Sequence, residues 1–108
     1  MSGHELARLC KVWQRRLRLA DWEIHPMIVT VEESPDALGE TTPDTAEMRA
    51  DVRVRDFDET EATLVHELLH IRLLPLWDGD AGVPNHEERE QAINLLADCF
   101  MRAYRRKR

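Results

Sequence analysis

Near its middle the chain reads Thr63-Leu64-Val65-His66-Glu67-Leu68-Leu69-His70, a His-Glu-x-x-His sequence inside an apolar, helix-forming run. Positions i and i+4 of an α-helix lie one above the other on one face, so His66 and His70 can direct two ring nitrogens at one metal ion. Glu67 follows the first histidine directly, where its carboxylate can reach a water at the open position of that ion. The stretch therefore predicts a helix that carries a zinc ion and a general base.

Two histidines at this spacing can also lie on the solvated side of an ordinary helix. The surrounding sequence favours the metal site, because the helix has its own start and stop signals and a second helix with possible ligands follows. Asp58 with Glu61 predicts the N-terminal cap and Pro75 predicts the end, so the motif helix is expected over about residues 59 to 73.

The composition limits the class of protein. With 108 residues and 43% hydrophobic content, residues 1 to 108 are expected to form one domain around a single core. The net charge of −6 argues against a nucleic-acid partner, and no apolar run approaches the length of a membrane span. The sequence shows no leader pattern, and Cys10 and Cys99 form no disulfide or metal-binding pattern. A monomeric, cytoplasmic protein is expected.

The residues before the motif predict a helix and then a strand. Ser2 and Glu5 form a capping box for an amphipathic helix over about residues 3 to 19. Residues 22 to 32 have the composition of a strand, and their apolar phase switches at His25-Pro26, which predicts a bulge or a sheet edge. His25 is expected to be structural rather than an accessory to catalysis.

A hairpin is predicted next. Thr42-Pro43-Asp44-Thr45 fits a type I turn, and the return strand over residues 48 to 55 alternates between apolar and charged side chains. Its apolar face, which should pack on the core, consists of Met48, Ala50, Val52 and Val54. The expected fold class is α+β: an N-terminal helix, a twisted sheet of about three strands, the motif helix and a C-terminal helix.

The last helix is predicted to begin at a cap formed by Asn85 and Glu88 and to extend to about Arg105. Pro84 precedes it, and residues 78 to 82 have the composition of a flexible loop. This helix is important because it supplies the remaining candidate ligands for the metal.

The third zinc ligand has three candidates on the last helix: Glu90, Glu87 and His86. A catalytic zinc ion usually has three protein ligands and one open position, so the two motif histidines need a partner. Glu90 is favoured because it lines up with Ile93 and Ala97 at the border of the buried face, where a carboxylate without a partner is costly. Glu87 lies on a stripe that is polar throughout, and His86 falls in the first turn; both stay open as alternatives.

These motifs resemble those of the small zincin-type metallopeptidases found in phages and prophages and, more distantly, of ImmA/IrrE-like and SprT-like peptidases. The resemblance rests on the pentad at residues 66 to 70, on Leu17-x-x-x-x-Trp22-x-Ile24 and on residues 90 to 97, and it spans about residues 10 to 100. It implies a zinc-dependent endopeptidase in which Glu67 is the general base. It also implies that a peptide or protein substrate lies along the strand before the motif helix, here Ala50 to Arg55.

The alternative is a non-catalytic protein, a zinc-stabilised regulator or adaptor that binds a partner through the strand edge or the basic tail at residues 105 to 108. Glu67 distinguishes the two functions, because an adaptor has no need of a carboxylate beside its metal whereas a hydrolase needs a general base.

Tyr104, the only tyrosine, lies 14 residues from Glu90 on the same helix. It is expected to pack in the core or lie on the surface, so the sequence identifies no oxyanion donor.

Overall fold

The structure, a computed structural model, describes residues 1–77 and 86–105. The elements in these ranges are α1 Gly3–Arg16, β1 Glu23–Val29, β2 Gly39–Asp44, β3 Arg49–Arg55, α2 Thr60–Arg72, α3 Leu74–Trp77 and α4 His86–Arg105. Helices and a mixed sheet share one core, which confirms the predicted α+β class. The predicted loop at residues 78 to 82, the cap at Pro84-Asn85 and the end of the basic tail at residues 106 to 108 lie outside the described residues.

The first helix begins as its capping box predicts. The Ser2 hydroxyl accepts a hydrogen bond from the Glu5 amide at 3.1 Å, which satisfies one of the amides that a helix start leaves without a partner. The helix ends at Arg16 rather than at about residue 19, because Arg18 takes a φ of 60° and turns the chain toward β1. The inner face of α1 contributes Leu6, Cys10 and Trp13 to the core.

The sheet has the strand order β1-β3-β2. β1 runs parallel to β3 with Ile24 opposite Ala50, and β2 runs antiparallel to β3 with Thr41 opposite Val52. The last strand in sequence is therefore the central strand of the sheet, and β1 and β2 form its two edges.

A bulge or a sheet edge was predicted at His25-Pro26, and no bulge forms there, because β1 pairs with β3 without interruption from Glu23 to Val29. Of the second apolar phase, Met27 and Val31 are 41% and 57% exposed, whereas Val29 is buried. The other half of that prediction, a sheet edge, is confirmed. Pro26 is tolerated because an edge strand can lack one backbone donor.

The turn predicted at Thr42–Thr45 is also wrong in position. β2 continues to Asp44, and the turn occupies residues 45 to 48, where Met48 has a φ of 52°. Pro43 is accommodated because β2, like β1, is an edge strand. Met48 is 40% exposed rather than on the core face, whereas the rest of the predicted alternation is confirmed. The buried residues of β3 are Ala50, Val52 and Val54.

The motif helix lies at the centre of the fold. α2 spans Thr60–Arg72, and the predicted cap at Asp58 is wrong because Glu59 holds the N-cap position without a side-chain hydrogen bond. The buried Thr60 hydroxyl accepts instead from the Phe57 amide at 2.8 Å. The core side of α2 consists of Leu64, Val65, Leu68, Leu69 and Ile71. This side packs on the sheet and α1, so the opposite side of α2 is left to face α4.

The last helix covers the remaining side of α2. α4 begins at His86 and ends at Arg105, as predicted, and it buries Ile93, Ala97 and Met101. Within the described ranges, no helix combines the length and the apolarity needed to cross a membrane.

Candidate metal centre

Three side chains converge where α2 faces α4. His66 Nε2 lies 2.8 Å from Glu90 Oε2, and His70 Nε2 lies 2.9 Å from Glu90 Oε1. The two ring nitrogens are 3.2 Å apart. One possible ligand atom from each residue falls within 4.8 Å of the others, and this is the only such cluster among the residues that the structure describes. The i and i+4 spacing on α2 therefore aims both histidines at one point, and α4 adds a carboxylate there.

The three side chains have the chemistry and the spacing of a zinc site. Two imidazoles and one carboxylate are a ligand set that proteins use for catalytic zinc, and bonds of about 2.1 Å in tetrahedral directions place ligand atoms about 3.4 Å apart. The two ring nitrogens, 3.2 Å apart, come close to this spacing, and one oxygen of Glu90 lies 2.8 or 2.9 Å from each of them. The residues present therefore fit a zinc ion in number and in chemistry.

Of the three predicted candidates for the third ligand, only Glu90 lies beside the histidines. Its side chain is 30% exposed, and those of His66 and His70 are 15% and 29% exposed. Glu87 and His86 are both exposed, and neither belongs to the cluster. Glu90 lines up with the buried Ile93 and Ala97, whereas His86 lies one turn earlier at the start of α4, where it lines the second cavity without joining the cluster.

Glu67 is held at the edge of this cluster by strand β2. Glu67 is only 6% exposed, and its Oε1 accepts a hydrogen bond from the Thr41 hydroxyl at 2.6 Å. A Cβ atom on Gly39 would lie 2.9 Å from Glu67 Oε2 and 2.7 Å from Thr63 Cγ2, so the backbone approaches as closely as it does only because residue 39 is glycine. Glu67 Oε2 makes no hydrogen bond with the described residues, which leaves it available to a ligand.

Sequence reasoning did not find Gly39 or Thr41. The signal was present, because Gly39, Thr41 and Pro43 alternate and therefore share one face of a strand. The predicted turn at Thr42–Thr45 concealed it, because residues 39 to 44 were not expected to form a strand.

A groove passes over the cluster, with α2 as its floor and β2 and α4 as its walls. Two adjoining cavities of about 580 and 550 Å³ share His66, Glu67 and Glu90. The first continues toward Met101 on α4, and the second continues toward Leu74 beyond the end of α2. The cluster thus lies in the middle of an open groove rather than at the bottom of a closed pocket.

The strand predicted to bind substrate, Ala50 to Arg55, is not a sheet edge. β3 pairs with β1 on one side and with β2 on the other, so its main-chain groups are used within the sheet and cannot pair with a peptide. The strand edge that borders the groove belongs to β2, whose residues 39, 41 and 43 line the second cavity.

Other predicted residues lie away from the groove. His25 is exposed on β1, 3.6 Å from the Glu23 carboxylate, and lines neither cavity. Tyr104 packs edge-on against Trp13 with ring centroids 5.3 Å apart, as expected of a packing residue. Cys10 is buried and Cys99 is exposed.

Comparisons with protein-family models, with curated proteins and with solved structures found no match for this chain. The resemblance to zincin-type peptidases therefore rests on the sequence motifs.

Proposed function

We propose that the protein is a zinc-dependent metallopeptidase. His66, His70 and Glu90 would hold the ion, and Glu67 would be the general base. The observation that carries the proposal is the convergence of both imidazoles on one carboxylate from a different helix, at 2.8 and 2.9 Å. Glu67, a buried carboxylate that directly follows the first histidine in the chain, is the candidate for the general base.

The side chains around the cluster have separate roles in this mechanism. When bound, zinc lowers the pKa of a coordinated water and polarises a carbonyl group. Glu67 Oε2, the oxygen that does not accept from Thr41, would be the atom that takes a proton from the attacking water and passes it to the leaving amine.

The outer edge of β2 is the proposed binding edge for an extended peptide. The Arg55 amide donates to the Leu38 carbonyl at 3.0 Å, so the alternation of an antiparallel ladder directs the main-chain groups of Gly39, Thr41 and Pro43 away from β3. Pro43 has no N–H, so Gly39 and Thr41 would provide the donors. A peptide that adds a strand here lies along the groove beside the metal ligands.

A non-catalytic zinc-binding regulator is the second candidate, and one contact favours it. The hydrogen bond from Thr41 gives Glu67 a structural function that needs no catalysis, because it joins β2 to α2. The contacts at the cluster can also form without an ion if each imidazole donates an N–H to Glu90. Metal content and turnover therefore have to be measured together.

The test compares the wild-type chain with Glu67→Gln for zinc content and for cleavage of a peptide library. We expect one zinc ion per chain in both proteins, because glutamine at this position leaves all three ligands intact. Turnover should fall by about 10²- to 10⁴-fold in the variant, the usual contribution of a general base. Equal turnover would rule out Glu67 as the base, and a wild-type chain that takes up zinc but cleaves nothing would favour the regulator.

A further inference from the structure

We infer that Thr41 is a positioning residue for Glu67, and that β2 fixes the carboxylate so that Oε2 alone remains available. The inference deepens the proposed function, and its catalytic consequence rests on that function. Its structural part, that Thr41 holds Glu67, can be tested without any turnover.

The contact between Thr41 and Glu67 is short and largely removed from solvent. The distance of 2.6 Å between Thr41 Oγ1 and Glu67 Oε1 is typical of a hydroxyl that donates to an ionised carboxylate. The second possible acceptor, the main-chain carbonyl of Glu67, is 3.4 Å away. The Thr41 hydroxyl therefore donates its hydrogen bond to Glu67 Oε1. Because threonine is branched at Cβ, its side chain is stiff, and the strand holds the donor in one orientation.

Gly39 restrains the other carboxylate oxygen. It precedes Thr41 by two residues and so lies on the same face of β2. A Cβ atom there would meet Glu67 Oε2 at 2.9 Å and Glu67 Cγ at 3.1 Å, which shows how closely the strand backbone approaches the side chain. Gly39 and Thr41 thus both lie against the Glu67 side chain, and both belong to one face of β2.

These contacts have a direct consequence for a general base. A buried carboxylate that loses a hydrogen-bond donor is destabilised and rotates to find another partner. Oε2 would then leave the direction in which it meets a water at the cluster, and small displacements of a reacting group lower rates strongly. Thr41 would therefore affect the rate of the chemical step more than substrate binding.

The first experiment measures melting temperatures of the metal-free protein. Thr41→Val removes the hydroxyl at almost constant volume, Thr41→Ser keeps it, and Thr42→Val is the matched control because Thr42 is exposed on the opposite face of the same strand. We expect Thr41→Val to lower the melting temperature by about 5 °C or more in the wild-type background and by much less in Glu67→Ala. Thr41→Ser and Thr42→Val should remain near wild type.

An equal loss from Thr41→Val in both backgrounds would overturn the inference, because the threonine would then act independently of Glu67. If Glu67→Ala does not fold, the comparison of Thr41→Val with Thr41→Ser decides the question. Equal melting temperatures for these two variants would show that the Thr41 hydroxyl does not hold the Glu67 carboxylate in place.

The second experiment measures zinc content and peptide cleavage for the same variants. We expect Thr41→Val to bind zinc as the wild type does, to lose kcat by about 10-fold or more and to keep KM within about 2-fold, with kcat restored in Thr41→Ser. An unchanged kcat in Thr41→Val would limit Thr41 to a structural role and overturn the positioning role. If the wild type itself cleaves no peptide, the proposed peptidase function fails, whereas the melting temperatures still decide whether Thr41 holds Glu67.

Discussion

If zinc binds as proposed, substitution of Glu90 by glutamine should abolish most of the stabilisation that the ion gives to the fold. Glu90 is the one proposed ligand that does not come from α2, and its two oxygens lie 2.8 and 2.9 Å from the two imidazoles. Glutamine keeps the size of the side chain but removes the negative charge that a divalent ion requires. The substitution therefore tests the metal site with little change in packing.

The size of the effect follows from binding linkage. At a free zinc concentration of about 100 times Kd, an ion that binds only the folded chain adds about 2.7 kcal/mol to the free energy of unfolding. In a domain of this size each kcal/mol raises the melting temperature by about 4–8 °C, so the wild type should gain roughly 11–22 °C. A variant that binds about 100-fold more weakly gains only about 0.4 kcal/mol at the same zinc concentration, or roughly 2–3 °C.

The assay is a thermal melt with and without zinc, in buffer that controls the free zinc concentration. Glu87→Gln is the matched control, because this exposed carboxylate lies on the same helix and outside the cluster. It should keep the full rise in melting temperature. An equal rise in Glu90→Gln would refute the assignment of Glu90 as a ligand, and no rise in the wild type would refute the metal site.

Two further predictions concern a glycine and a cysteine. Gly39→Ala should lower the free energy of unfolding by about 1–3 kcal/mol, because its Cβ would lie 2.7 Å from Thr63 Cγ2, whereas Gly3→Ala should be neutral since nothing lies within 4 Å there. Equal denaturation curves for both would contradict the close approach of β2. Burial raises the pKa of the Cys10 thiol from 9.0 to about 11, so the folded chain keeps a proton that the unfolded chain loses. Stability should fall as the pH rises from 9.0 to about 11, and urea melts of Cys10→Ala should lose this part of the pH dependence.

The helical parts of the site could be predicted because their information is local. His66 and His70 share a face by spacing alone, and the alignment of Glu90 with Ile93 placed this carboxylate on the inner side of α4. The helical period predicts which side chains share a face, and the packing of α4 on α2 then brings Glu90 to the two histidines.

The sheet could be predicted only in part, because strand order is not local. β3 became the central strand because β1 pairs with it in parallel, and no feature of Ala50 to Arg55 distinguishes a central strand from an edge. Proline is also compatible with two kinds of structure, since Pro43 suits a turn as well as an edge strand. The contact of Thr41 with Glu67 depends on the strand order and on Pro43 lying in a strand, so the sequence did not reveal it.

The proposed ligands lie on two helices, α2 and α4, so the site depends on tertiary structure. His66 and His70 stay neighbours in any state that keeps α2 helical, but Glu90 reaches them only when α4 packs on α2 through Ile93 and Ala97. An ion held by all three side chains would therefore bind the folded chain in preference to a chain in which only α2 has formed. Glu67 is tied in the same way to β2 through Thr41, so the proposed base and the proposed metal depend on two different contacts of one helix. Loss of the contact between α4 and α2 should weaken metal binding and leave the Glu67 carboxylate in place. Loss of the contact between Thr41 and Glu67 should displace the carboxylate and leave metal binding intact.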